Sequence, residues 1–384
     1  MDHTRQRPSF SLWSVGASAL GVLAAYHVPV PFAGNPLMRE GPTPYRRVAA
    51  APDNVNRWSV YEPVPRVIAE PDANDTLVVA IPGGGWHSGT IHDDWFIGHA
   101  FLGRAFASHA RGKRIALLAY PPCTVPLRTA VEFYAGLAVF AVTLAYVLSK
   151  IAGPLRFWLA LAAPCYAAVG ALIWWRELAT AGPFGVSDAH RVNASAQLRY
   201  VQESLDMLVR RYQPRHLVLA GHSAGGHFAA VLGVDMAQAM STVPRVSVVG
   251  ISGVYDVESL WDESRSFPGY FVRRWCIEPA FWSPTFSAGI IRRALSPTQQ
   301  LLARPRDRSD AVGLTQRRHF HLVSARVDNE MLYAQADRFA DALRSHAIGV
   351  TRHTGVGVGH GLGLIKSEAL LELLVGIAND TVPL

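Results

Sequence analysis

Leu217-Val218-Leu219-Ala220-Gly221-His222-Ser223-Ala224-Gly225 is an apolar run of strand length that breaks into G-x-S-x-G. The next stretch, Gly226-His227-Phe228-Ala229-Ala230-Val231-Leu232, continues as a helix opened by small residues. Strand, sharp turn and helix in that order hold a serine hydroxyl at the tip of a strained elbow, open to an incoming electrophile. Glycines on both sides suit such a turn, because a side chain at either position would run into the neighbouring strand or helix. A bare G-x-S-x-G arises often by chance, and the flanking strand and helix give this one its weight.

An elbow serine requires an acid and then a histidine further along the chain. His319-Phe320-His321-Leu322-Val323-Ser324-Ala325-Arg326-Val327-Asp328 reads as a strand ending in a carboxylate. A helical pattern follows, with Leu332, Ala336, Phe339 and Leu343 on one face. A short strand, Val350-Thr351-Arg352-His353, then leads into the glycine-rich Gly355-Val356-Gly357-Val358-Gly359-His360-Gly361. The expected roles are Ser223 as nucleophile, His360 as general base and then acid, and Asp328 as the group that fixes the imidazole.

These residues also have plain readings. Asp328 suits a helix N-cap. Asp256, in Gly253-Val254-Tyr255-Asp256, is a rival acid because it too follows an apolar run, Val246 to Ile251. His87, His92, His222 and His227 read as structural or solvated, although His227 falls one helical turn beyond Ser223.

A second glycine cluster completes the set. Thr76-Leu77-Val78-Val79-Ala80-Ile81 is strand-like and ends in Pro82-Gly83-Gly84-Gly85-Trp86. Consecutive glycines after a strand leave backbone N–H groups to face a developing oxyanion. Gly84, Gly85 and Ala224 are the expected donors. No Gly-Lys-Ser/Thr follows, which argues against a phosphate loop.

Pro82 to Trp86, Gly221 to His227, Ser252 to Asp256, Asp328 and Gly359-His360 together resemble the hormone-sensitive-lipase/carboxylesterase branch of the α/β-hydrolases. Within that branch the chain is most similar to isoprenylcysteine methylesterase-like and kynurenine formamidase-like enzymes. Val186-Ser187-Asp188-Ala189 through Gln197 adds to the methylesterase likeness. The resemblance covers roughly residues 57–120 and 183–378. The branch usually carries histidine before the glycines; this chain has Pro82, and methylesterase-like members also tend to lack that histidine.

The resemblance has no counterpart for the middle of the chain. Phe133 to Ser149 and Phe157 to Trp175 are two uncharged runs joined through Lys150-Ile151-Ala152-Gly153-Pro154-Leu155-Arg156. A spanning helix needs about 20 apolar residues, so both runs lie near that length. Trp174-Trp175 suits an interfacial belt. A membrane hairpin is expected, and a hydrophobic lid is the alternative, though a lid would need a polar face. Pro8 to Met38 also lacks charged residues and reads as an anchor or a signal segment. Arg5 and Arg7, with Lys150 and Arg156, would stay cytoplasmic and set the catalytic domain on the lumenal or outer side of an endomembrane such as the endoplasmic reticulum. Sequons at Asn74, Asn193 and Asn379 permit that side. Arg39, Arg46 and Arg47 weaken the bias, and a prenylcysteine substrate would favour the cytoplasm.

Composition agrees. Of 384 residues, 50% are hydrophobic and only 17% charged, with a net charge of +7. The basic residues form short clusters, Arg104 to Arg114 among them, that suit anionic headgroups or a solvated rim. No nucleic-acid module is present. Cys123, Cys165 and Cys276 make neither a disulfide framework nor a metal spacing. The stretch from Val257 to Arg318 is dense in aromatics, from Trp261 to Phe286, and suits either an acyl pocket or core packing.

The expected architecture is therefore an α/β-hydrolase fold, a mainly parallel sheet with helices on both faces, among them Ala196 to Arg211, Gly226 to Ala239, Glu330 to Ser345 and Lys366 to Ala378, plus an inserted apolar hairpin and an N-terminal apolar helix. The expected divisions are 1–40 as anchor or signal, 41–125 and 180–384 as the catalytic domain, and 126–179 as the hairpin. The resemblance implies hydrolysis of a small-molecule or lipid-like ester, the apolar runs add a bilayer as partner, and no cofactor, metal or nucleic-acid partner is expected. An arylformamidase-like amidase and a non-enzymatic membrane scaffold are the alternatives.

Overall fold

The computed structural model describes residues 45–48, 58–63, 76–86, 113–118, 192–235, 238–264, 272–282, 286–304, 318–326, 328, 330–360, 362–365 and 367–382, with 103, 105, 106, 109, 120 and 123. The expected anchor at 1–40 and hairpin at 126–179 lie outside these residues, as do His87, His92 and Asn74. Among the described residues no helix is long and apolar enough to cross a membrane.

Eight strands form one sheet in the order β1-β2-β4-β3-β5-β6-β7-β8. They are β1 (Tyr45–Val48), β2 (Trp58–Pro63), β3 (Thr76–Ile81), β4 (Arg114–Leu118), β5 (His216–His222), β6 (Arg245–Ile251), β7 (Arg318–Ser324) and β8 (Gly349–Thr354). β1 and β2 run antiparallel at one edge, and β4, β3, β5, β6, β7 and β8 are parallel. The central strands are buried along both faces, which is why β3, β5 and β6 read as continuous apolar runs rather than as alternating ones.

Side chains still alternate between two layers. Leu77, Val79, Leu217, Leu219, Val246 and Val248 face one core. That core is closed by Leu205 and Leu208 of α1 (Ala194–Tyr212), Phe228 of α2 (Ala224–Asp235), and Phe339 and Leu343 of α6 (Glu330–Ser345). Val78, Ala80, Val218, Ala220 and Val249 face the other, closed by Leu370, Leu374 and Ile377 of α7 (Glu368–Ala378). The chain between β6 and β7 carries short helices, among them α3 (Val257–Glu263), α4 (Ala288–Ala294) and α5 (Pro297–Ala303).

Helix ends differ from the periodicity for local reasons. α1 starts at Ala194, two residues before the expected Ala196, because the Asn193 side chain accepts from Ala196 N at 3.0 Å. The same amide donates from Nδ2 to the Trp282 carbonyl at 3.0 Å. Asn193 is therefore engaged on both sides as a structural cap. α2 was expected to run from Gly226 to Ala239 but occupies Ala224–Asp235. Its last carbonyls are taken by two arginines: Arg318 Nη1 donates to Gly233 O at 2.9 Å, and Arg304 Nη1 to Val234 O at 2.9 Å.

Candidate active site

The parallel strands deliver the three candidate side chains to their carboxyl ends, where open α/β sheets present ligand crevices. Ser223 directly follows β5, Asp328 stands four residues beyond β7, and His360 six residues beyond β8. Ser223 holds a φ of 51°, so it occupies the left-handed region that non-glycine residues rarely adopt. Two contacts fix this elbow: Ser223 N donates to Ile251 O at 2.9 Å, and its own carbonyl accepts from His227 N at 3.0 Å, starting α2. The flanking glycines are sterically required. A Cβ on Gly221 would lie 2.1 Å from Gly225 O, and one on Gly225 would lie 2.2 Å from Ile81 O.

The structure brings Ser223, His360 and Asp328 into one hydrogen-bonded row. His360 Nε2 lies 2.9 Å from Ser223 Oγ, and His360 Nδ1 lies 3.1 Å from Asp328 Oδ1. An ionised carboxylate only accepts, so Nδ1 carries the proton and Nε2 is free to accept from the serine hydroxyl. The Asp328 side chain is 1% exposed and that of His360 27%, so the acid is sealed while the base reaches the surface. The loops carrying them are tied together: Val356 N donates to Ser324 O at 3.3 Å and Arg326 N to Gly357 O at 3.2 Å.

Asp256, the rival acid, is placed elsewhere. Its Oδ1 accepts from Ser259 N at 3.1 Å, capping α3, and its Oδ2 accepts from Gln299 Nε2 at 2.9 Å. His227 is buried against Trp86 and Phe281 in edge-on contacts of 5.6 and 5.9 Å between ring centroids. Its Nδ1 donates to the Val254 carbonyl at 3.2 Å, and burial pushes its pKa down to about 4. It is a neutral core group.

The glycine turn after β3 lies against the elbow. A Cβ on Gly83 would fall 3.1 Å from Ser223 Cβ. Gly84, Gly85 and Trp86 carry φ values of 125°, 58° and 67°, a run of left-handed conformations that re-aims the backbone after β3. Ala224 opens α2, where the first-turn N–H groups have no intrahelical acceptor. Pro82 stands where the resembled branch has histidine, and other residues brace the loop. Tyr120 OH donates to Pro82 O at 3.1 Å, while Gln197 Nε2 and Cys123 N donate to Trp86 O at 2.6 and 2.9 Å. The Cys276 sulfur sits on the same turn, 3.0 Å from where a Gly85 Cβ would be. Burial pushes that thiol up to about 12, so it stays protonated and inert as a nucleophile.

Two supporting residues were not legible in the sequence. Ser252, directly after β6 with a φ of 46°, donates its hydroxyl to Asp328 Oδ2. His222, read as structural or solvated, is buried and donates from Nε2 to the backbone carbonyl of His360 at 2.6 Å. The only signal for either was its position at a strand end beside a predicted site residue. The aromatic segment divides between roles. Phe281 is fully buried against Trp86, Trp261 lies between the guanidinium groups of Arg273 and Arg292 at 3.7 and 4.0 Å, and Phe286 is exposed.

This architecture is shared by solved esterases. Esterase B of Lactobacillus rhamnosis HN001 superposes with a TM-score of 0.51 at 14% identity, over 96% of this chain and 91% of that one. An esterase described as putative, from Staphylococcus aureus, gives a TM-score of 0.51 at 10% identity, over 98% and 95% of the two chains. At such identities the likeness establishes architecture alone: the chain has the α/β-hydrolase fold. No family model and no curated protein sequence matches it.

Proposed function

We propose that the chain is a serine hydrolase that cleaves a carboxylic ester of an apolar, membrane-dissolved substrate. The observation that carries this reading is the unbroken row from Ser223 Oγ through His360 to Asp328. Ser223 Oγ adds to the acyl carbon as its proton passes to His360 Nε2. The N–H groups of Gly84, Gly85 and Ala224 receive the negative charge that develops on the carbonyl oxygen. Collapse breaks the bond to the leaving alcohol, which takes the proton from His360, and an acyl group remains on Ser223. Water, deprotonated by the same nitrogen, then releases the acid and restores the hydroxyl. Asp328 holds the ring in the required tautomer throughout and balances the imidazolium charge.

The solved neighbours being esterases and the motifs resembling the hormone-sensitive-lipase branch support ester over amide chemistry. The apolar runs at 8–38, 133–149 and 157–175 support a bilayer location, with lipid-like esters arriving laterally. The likeness to isoprenylcysteine methylesterase-like enzymes adds prenylcysteine methyl esters to the candidate substrates, beside acylglycerols. A panel of esters of graded acyl length, assayed in detergent and in bilayers, tests this. Turnover that rises with chain length and is highest in bilayers is the expected result. Turnover confined to short soluble esters would remove the apolar-substrate reading, and turnover of aryl formamides alone would replace esterase by amidase.

A further inference from the structure

The end of the sheet opposite the triad carries a second concave site. Thr76, His216 and Arg245 open β3, β5 and β6 and stand in one row across the strands. Lys113, just before β4, donates Nζ to Thr76 Oγ1 at 3.3 Å. With Arg215 and the chain that closes α7, including Asp380, these residues wall a cavity of about 360 Å³. That volume lies in the range of small-ligand pockets.

The lining is built for an anion. Among the described residues Lys113, Arg215, Arg245 and the carboxylate of Asp380 line the cavity, and Asp380 Oδ2 pairs with Arg245 Nη1 at 2.5 Å. His216 supplies a buried polar atom that lacks a partner. It is 6% exposed, and its Nε2 is satisfied by Ser247 Oγ at 2.9 Å. Its Nδ1 lies 3.6 Å from Asp380 Oδ1, beyond hydrogen-bond range, and makes no hydrogen bond. Ser247 engages Nε2, so Nδ1, on the Asp380 side of the ring, is the ring nitrogen left for a ligand. Burial lowers the basicity of this ring to about 4, with Arg245 and Lys113 adding to the effect and Asp380 opposing it. The positive surroundings of the ring are what a bound anion would offset.

We propose that this cavity binds a phosphate group, carried either by a free small molecule or by a phospholipid headgroup. Lys113 and Arg215 supply charge, Arg245 donates through the guanidinium edge left over from Asp380, and His216 Nδ1–H is the deep donor. Asp380 selects phosphate over other oxyanions. A phosphate near neutral pH still carries a proton on part of its population, and that P–OH can donate to the carboxylate. Sulfate and ionised carboxylates have no such proton and meet only repulsion there. The proposal stands apart from the esterase reading, because none of these residues belongs to the row at Ser223.

The test is calorimetric titration of the full chain with inorganic phosphate near pH 6.5, against sulfate and against sodium chloride of equal ionic strength. A parallel arm measures flotation with phosphatidylcholine vesicles, with and without phosphatidic acid. Saturable phosphate binding is expected, at least about tenfold tighter than sulfate, and weakened about tenfold in Lys113→Glu and in Arg215→Glu. Both variants should keep the wild-type circular dichroism and ester turnover, and Arg215→Gln, a milder change at an exposed residue, should weaken binding in the same direction. Flotation that requires phosphatidic acid and is lost in the variants identifies the headgroup as the source. Phosphate binding without vesicle preference identifies a free ligand. Absence of saturable phosphate binding, equal binding of sulfate, or equal binding by the folded variants would overturn the proposal.

Discussion

The imidazole of His222 and the backbone of His360 are joined by a 2.6 Å hydrogen bond, Nε2–H to carbonyl oxygen. The residue that precedes the elbow serine thus holds the loop that carries the base. Their rings lie 5.1 Å apart between centroids, so His222 also packs beside the ring it positions. Replacing His222 by Ala should lower kcat roughly tenfold with little change in KM, the size expected for one lost buried hydrogen bond. His222→Gln, which keeps a donor at similar reach, should recover most of the rate. Steady-state kinetics on a soluble ester checks both.

Ser252 supports the acid as His222 supports the base. Its hydroxyl donates to the Asp328 oxygen that His360 does not use. Ser252→Ala leaves a sealed carboxylate with one donor fewer, at a cost of about 1–3 kcal/mol. The variant should unfold at lower denaturant and lose kcat/KM. A stability loss with an unchanged kcat/KM would mean that Ser252 acts in folding alone.

Tyr120 braces the glycine turn through Pro82 O at 3.1 Å and Gly83 O at 3.4 Å. Tyr120→Phe should keep the fold, because only the hydroxyl is lost from a buried ring. Its effect should fall on kcat, by several-fold, through looser placement of the Gly84 and Gly85 donors. Equal losses of kcat and stability would place the hydroxyl in the core rather than in the site.

Acid should destabilise the protein through its buried histidines. Burial lowers His227 to about 4 and His321 to about 3, the latter with added repulsion from His319, His353, Arg245 and His216. The unfolded chain binds these protons near pH 6.5. The unfolded state therefore holds more protons between those values, and stability falls as the pH drops below about 6.5. His227 alone, fully enclosed, accounts for a loss on the order of 3 kcal/mol once the pH is below about 4. Urea midpoints measured from pH 7.5 to 4 should decline, and His227→Leu should flatten that slope. An unchanged slope would contradict the neutral, buried assignment.

The sequence carried the elbow, the paired glycine cluster and the chain order of Asp328 and His360, because each rests on backbone rules or apolar runs that are local. β3 at Thr76–Ile81 and α6 at Glu330–Ser345 have the expected bounds for the same reason. What stayed hidden is non-local. Asp256 and Asp328 look alike in sequence, since both follow apolar runs. Only the fold turns one into a helix cap and sets the other beside His360. Ser252 and His222 act through partners 76 and 138 positions away, and their places at strand ends do not reveal those partners. The stretch from Val257 onward resisted reading because contacts such as Trp261 between two arginines have no period.

Covalent labelling of Ser223 tests the account most directly. The folded chain, treated with a fluorophosphonate and analysed by peptide mass spectrometry, should carry a single adduct on the peptide containing Ser223. The adduct should vanish in Ser223→Ala and fall by orders of magnitude in His360→Ala. A folded wild-type chain that takes no adduct, or one labelled at another residue, would contradict the assignment of Ser223 as an activated nucleophile.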